Sequence, residues 1–246
     1  MPQPPAGDLD QSFGRQRVTA DVRRRRIRDV FDAVAPRYDL MNDLMSFGIH
    51  RLWKRTLARR CRDAVGPVVD LAGGTGDVAR LLADGARRVI VCDPSLPMMQ
   101  EGRRRDAADV TWLAGEAERL PFADGSVGLL TVSFGLRNAT RLDAALAEIH
   151  RVLKPGGRFV CLEFSRPHWW LAPFYDLYSY LVIPRLGAAV ARAPVAYQYL
   201  IESIRRFPNQ KDFAGLIAAT GFTAVRWENV SFGIAALHFG ERPDGG

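Results

Sequence analysis

The stretch that most constrains this chain is Gly66-Pro67-Val68-Val69-Asp70-Leu71-Ala72-Gly73-Gly74-Thr75-Gly76-Asp77. It reads as a buried strand (Val68, Val69, Leu71) that ends on an acid, turns through glycines and enters a helix, where Val78, Leu81 and Leu82 recur at helical spacing. Gly73, Gly74 and Gly76 are expected to take positive φ and to let a ligand approach the backbone with no Cβ in the way. A turn that binds nothing satisfies the same pattern, and Gly74-x-Gly76-x-x-Ala79 also satisfies the dinucleotide fingerprint. What favours a ligand is Asp93, which closes a second strand, Val89-Ile90-Val91-Cys92, at the distance past the glycines where a ribose-binding acid falls. The two features together predict an adenosyl ligand.

Charge then narrows the choice. A pyrophosphate wants unopposed amides at the positive end of a helix, yet Asp77 occupies that helix start and Asp70 lies just before the turn. With Asp93, Glu116 and Glu118 added, a chain of net charge +7 gathers carboxylates round one crevice. That favours S-adenosylmethionine, which carries a sulfonium and an ammonium, over NAD.

The expected architecture is α/β. Strands at Val110–Leu113, Leu129–Phe134 and Phe159–Phe164 alternate with helices over Ser95–Ala107 and Asp143–Leu153, which implies a parallel sheet with its ligands at the carboxyl ends of the strands. Helix Asp212–Thr220 leads to strands Val225–Val230 and Ile234–Phe239, read as a hairpin-like addition at the sheet edge. Residues 1–20 read as a disordered tail, and 21–242 as one domain that includes N-terminal helices over 21–63. In the first helix, Asp21 is the expected N-cap and Ile27, Val30, Phe31 and Val34 form the apolar stripe. Arg23 to Arg26 invite a nucleic-acid reading, but they fall largely on its solvent side with no aromatic residues interleaved, so a solvated face is the favoured reading. Leu40, Met41, Leu44 and Met45 are expected to form a lid helix or simply core.

Residues 167–206 hold an aromatic, apolar insertion that includes Trp169, Trp170, Phe174, Tyr175, Tyr178, Tyr180, Leu181 and Ile183, punctuated by Pro173 and Pro184. It is expected to wall an apolar substrate or touch a bilayer surface. No run of about 18 apolar residues exists to span a membrane. Cys61, Cys92 and Cys161 lack metal or disulfide spacing and read as buried hydrophobes of a cytoplasmic protein.

The strings Tyr38-Asp39 through Met45-Ser46-Phe47-Gly48-Ile49-His50-Arg51-Leu52-Trp53-Lys54, Asp70 to Asp77, Ser133-Phe134-Gly135-Leu136-Arg137-Asn138 and Arg151-Val152-Leu153-Lys154-Pro155-Gly156-Gly157 resemble the ubiquinone/menaquinone biosynthesis C-methyltransferases. The likeness runs from about Val30 to Arg242. It implies a class I S-adenosylmethionine-dependent methyltransferase fold, Rossmann-like, whose seven-stranded sheet has a reversed last strand. It also implies methyl transfer to a ring carbon of a polyprenylated quinol, on an enzyme held at the inner face of the membrane and needing no metal. By motif position, the family's cofactor contacts fall on Thr75, Asp93, Glu116 with Ala117, and Ser133, beside Asp70, Gly74 and Gly76 of the turn. At Glu116 the chain departs from the family's usual Asn or Asp. A homodimer is left open.

For the chemistry, Arg137 is expected to steady a phenolate, which it can do without acting as a base because guanidinium stays protonated. Asn138 is expected to orient the ring, and a water, Asp39 or His50 to take the proton. A methyltransferase with another phenolic or sterol acceptor, and a non-catalytic membrane-surface scaffold, are the rival readings.

Overall fold

Five parallel strands form the body of the sheet, and their C-terminal ends carry the loops of the site described below. In chain order the strands of the main sheet are β1 (Val68–Leu71), β2 (Val89–Asp93), β3 (Val110–Ala114), β4 (Val127–Ser133), β5 (Leu153–Phe164), β6 (Thr223–Val230) and β7 (Ala235–Glu241). They are ordered β3-β2-β1-β4-β5-β7-β6, with β7 antiparallel to both its neighbours. The terminal hairpin is added at the sheet edge as expected, with β7 against β5 and β6 at the rim. The computed structural model describes residues 12–13, 16–85, 87–105, 109–178 and 194–244.

The helices are α1 (Ala20–Val34), α2 (Tyr38–Ser46), α3 (Ile49–Arg60), α4 (Asp77–Leu82), α5 (Leu96–Arg104), α6 (Leu142–Val152), α7 (residues 172–178), α8 (Pro194–Arg206) and α9 (Gln210–Ala219). Side chains alternate across a strand, so β1 sends Val69 and Leu71 to one face and Val68 and Asp70 to the other. The first face packs on α6 and α9 through Leu146, Ile149, Phe213 and Ile217. The second packs on α3, α4 and α5 through Leu57, Val78, Leu82 and Met99. Burying apolar surface on both faces explains why β1, β2 and β4 are almost continuously apolar.

Three local expectations are corrected. The α1 N-cap is Thr19, whose hydroxyl accepts from Val22 N, and not Asp21. Arg23 is buried rather than solvated, because position 23 lies one helical turn before Ile27 on the same stripe; its Nη1 donates to the carbonyls of Ala139 (2.9 Å) and Asn138 (3.1 Å). In the stretch taken as a disordered tail, Ser12–Phe13 pairs with Gln16–Arg17, and the buried Phe13 ring stacks on Tyr199 at 5.0 Å. Residues 1–11 and 14–15, Ala107, and Tyr180 to Pro184 of the insertion lie outside the described residues.

Helix α5 is seated directly on the glycine turn. A Cβ on Gly102 would stand 2.2 Å from the Trp112 ring and 2.6 Å from the Thr75 carbonyl oxygen. Overpacking of this kind costs about 1–3 kcal/mol. Gly102→Ala should lower unfolding free energy by that amount in urea titrations; an unchanged midpoint would mean that the turn yields without strain.

Candidate active site

Two cavities open at the carboxyl ends of β1, β2 and β4, and they share the side chains of Tyr38 and Phe134. The first, of about 140 Å³, is the glycine-turn crevice. The second, of about 300 Å³, is mostly apolar and lies between α2, α3, α7 and the loop after β4.

In the crevice the chain reverses out of β1 with Ala72 at φ +50°, Gly74 at +56° and Gly76 at +81°; Gly73 keeps an ordinary φ, contrary to expectation. Gly73 is small for another reason: a Cβ there would fall 2.8 Å from the Asp70 carboxylate. Gly76 stands outside the crevice wall, where a Cβ would meet the Trp112 ring at 2.7 Å. Asp70, Gly74, Thr75, Asp93, Glu116, Ala117, Ser133 and Asn138 all line the crevice.

Asp70 ties the crevice together. It accepts from Ala79 N at the start of α4 and from the Thr131 hydroxyl on the adjacent strand, each at 3.0 Å, and full burial pushes its carboxyl up to about 7. Asp93 accepts from Ser95 N and Gly74 N, both at 2.8 Å, one on each oxygen, and burial pushes it up to about 6. Each Asp93 oxygen keeps lone-pair capacity for a further donor.

The expected ring of free carboxylates is largely neutralised by the protein itself. Asp77 receives Lys54 at 2.9 Å and Arg80 at 2.8 Å, and Glu116 receives Arg28 at 3.0 Å. Glu118 caps the amides of Thr140 and Arg141. What remains open to a ligand is neutral hydrogen bonding together with Asp93. The Ser133 hydroxyl is buried in the crevice wall without a partner. The Gly74 amide is already taken by Asp93, and the carboxylate and free hydroxyl of the lining fit the hydroxyls and ring nitrogens of an adenosyl group.

The second cavity holds Arg137, which does not reach the crevice. Its guanidinium is buried and donates to Glu163 at 3.0 Å and to the Phe134 carbonyl, and it lies 5.5 Å from the Phe164 ring centre. Its Nε is buried without a partner. Glu163 also accepts from the amides of Arg137 and Phe164; burial pushes its carboxyl above the usual range while Arg137 opposes the shift. Glu163 has no role in the sequence reading, although an acid inside the apolar run Phe159–Phe164 is itself a signal. Asn138 belongs to the crevice and not to this cavity, and its Oδ1 accepts from the Tyr199 hydroxyl at 2.9 Å. Asp39 reaches neither cavity and is held by Thr75 and Arg105.

The sheet order, the glycine turn and the paired cavities define a class I methyltransferase. A crystal structure of a SAM-dependent methyltransferase from Thermotoga maritima superposes with a TM-score of 0.64 at 20% identity, covering 87% of this chain and 98% of that one. The model of the ubiE/COQ5 methyltransferase family matches residues 19–242, and the chain belongs to that family. It is 63% identical over 95% of its length to a ubiquinone/menaquinone biosynthesis C-methyltransferase UbiE of Rubrivivax gelatinosus, 94% of which is covered. It is 49% identical to the protein of that name from Caulobacter vibrioides, with 93% and 96% covered. Among the described residues no cluster of three His, Cys, Asp or Glu side chains is placed to hold a metal.

Asp93 supplies a pH test. Its folded-state value of about 6 lies above the roughly 3.9 of an unfolded aspartate, so the folded chain binds the extra proton and stability falls as pH rises between those values. The difference in unfolding free energy between wild type and Asp93→Asn should therefore shrink from pH 4 to pH 6 and then level off. A difference that stays flat, or grows, would contradict the burial-driven shift.

Proposed function

We propose that the chain transfers the methyl group of S-adenosylmethionine, held in the glycine-turn crevice, to a ring carbon of a polyprenylated quinol held in the apolar cavity. Demethylmenaquinol is the acceptor we favour. When bound, S-adenosylmethionine supplies an electrophilic methyl on a sulfonium. The observation that carries the reading is the common wall: Tyr38 and Phe134 line both cavities, so a donor in one and a ring in the other come face to face.

The roles assigned to individual residues are proposals of the same reading. Asp93 accepts from the ribose hydroxyls, Ser133 and Thr75 meet the donor's polar groups, and Glu116 with Ala117 borders the adenine. Arg137 stabilises the ring oxygen as it gains negative charge, through the Nε that the protein leaves unpaired. One well-placed donor of that kind is worth roughly 3 kcal/mol in a water-poor site. Trp53, Phe164, Phe174 and Tyr175 exclude water from the ring.

Arg137→Ala would leave Glu163 buried and unpaired, a change that typically costs about 3–5 kcal/mol, so Arg137→Lys is the sharper variant. It should bind S-adenosylmethionine in calorimetry as tightly as wild type and slow methyl transfer roughly 10²-fold. Wild-type turnover in that variant would remove the oxyanion role. Running the assay with naphthoquinol and benzoquinol acceptors side by side tests the preference for demethylmenaquinol, which equal turnover would refute.

The acceptor is a membrane lipid in this reading, and the mouth of the apolar cavity suits that source. Phe47 and Phe174 line the cavity with 77% and 70% of their surfaces exposed, and Ile49 is also open to solvent. Among the described residues no helix is long and apolar enough to cross a membrane; the contact proposed is a peripheral one through this mouth. The protein should float with anionic lipid vesicles, and Phe47→Ser should reduce the floating fraction several-fold; flotation unaffected by that change would place the contact elsewhere.

A further inference from the structure

The apolar cavity contains a histidine whose bonding goes beyond packing. His50 sits in the first turn of α3, is 3% exposed and lines the cavity. Its Nε2 lies 2.9 Å from Asp43 Oδ1, on the preceding helix, and its Nδ1 is buried with no partner at all. Asp43 is fixed in turn by Arg51, which donates to both carboxylate oxygens at 2.6 and 2.7 Å.

This arrangement dictates the tautomer. Arg51 and His50 hold Asp43 down at about 2, so it is an ionised acceptor and the imidazole must present Nε2–H to it. In a neutral ring the bare lone pair is then on Nδ1. Burial, with the Lys54 ammonium beside it, keeps His50 below its ordinary value, against the pull of Asp43 and Asp77. The ring is therefore neutral at pH 7 and able to accept a proton.

The other titratable side chains of the cavity do not compete. Among the described lining residues these are Arg137, Tyr38, Tyr175 and Tyr178. A guanidinium has no lone pair to offer, and phenols are acids whose ordinary value of about 10 leaves them protonated; burial raises Tyr175 further, to about 12. Asp39, the other side chain considered for this role, is engaged with Thr75 and Arg105 outside the cavity.

We infer that His50 is the general base that takes the ring hydroxyl proton of the acceptor on Nδ1, with Asp43 as the positioning residue that fixes its tautomer. The inference rests on the methyl-transfer reading given above. The O–H bond breaks, its proton goes to Nδ1, and the freed pair moves into the ring, whose carbon forms the new bond to the methyl while the carbon–sulfur pair stays on sulfur. As the ring regains aromaticity, that carbon loses its own hydrogen to water as a proton and His50 returns its proton to the oxygen. One proton is released per turnover, and the imidazole ends neutral. Base and oxyanion partner thus act on one hydroxyl: His50 removes the proton and Arg137 steadies the charge left behind.

Two measurements test this. The ¹⁵N spectrum of the free protein at pH 7 should show His50 with a proton on Nε2 and none on Nδ1; a ring protonated on Nδ1 overturns the assignment whatever the kinetics. His50→Gln should lose roughly 10²- to 10⁴-fold in kcat with KM little changed. Its rate should also keep climbing with pH above the wild-type plateau, and its deficit should shrink with an acceptor bearing a more acidic ring hydroxyl. Wild-type kcat and pH profile in His50→Gln would overturn the base. A wild-type enzyme that methylates no quinol would instead overturn the proposed function. If His50→Gln does not fold, Asp43→Asn leaves the imidazole in place and should lose the wild-type pH limb; an unaltered limb overturns the pairing.

Discussion

The buried ion pair of Arg137 with Glu163 is the interaction on which the rest of this structure depends. Taking both charges out of water is costly, and such a pair often gives no net stability over an apolar replacement. Its retention makes sense through what it holds. Glu163 sits at the end of β5 and accepts from the backbone of Arg137, while the guanidinium reaches back to the Phe134 carbonyl. The loop after β4 is thereby pinned to the neighbouring strand, and Phe134, at φ +57°, is held in a backbone conformation that a bulky residue seldom adopts. Strain of that sort persists where surrounding contacts over-determine it, and this strained residue is one of the two that stand between the cavities.

The two cavities divide the electrostatic work. In the crevice, Lys54, Arg80 and Arg28 neutralise Asp77 and Glu116, so a ligand meets Asp93 and neutral donors and acceptors. In the apolar cavity the order is reversed: a cation is kept in place by Glu163, an uncharged imidazole stands ready, and aromatic rings close the remainder. A ring oxygen that becomes negative there would meet the only guanidinium among the described lining residues. The same separation keeps Arg137 away from a positively charged donor.

Much of this was legible in the chain, and the exceptions have physical causes. Apolar runs identify a strand buried on both faces wherever they occur, so β1, β2 and β4 were placed to within a residue or two, and the glycine turn followed. Helix ends shifted by one to three residues because capping is decided by geometry: Thr19, not Asp21, reaches the Val22 amide in the first turn of α1. At Arg23 periodicity overrides charge, because position 23 continues the stripe of Ile27 and Val34 and is buried with them. The acid-rich crevice was overestimated because sequence shows the carboxylates and not the Lys54 and Arg28 side chains that cross to meet them. Asn138 follows Arg137 directly, yet a single turn of 3₁₀ helix sends the two side chains to different cavities. No spacing rule announces that.

Arg23 carries a consequence of its own. It is rooted in α1, which covers the crevice through Ile27, Arg28 and Phe31, and its guanidinium grips the carbonyls of the very loop that bears Arg137. The roof of the crevice and the loop that carries Arg137 are thus fastened together by one buried guanidinium, so neither can shift without disturbing the other.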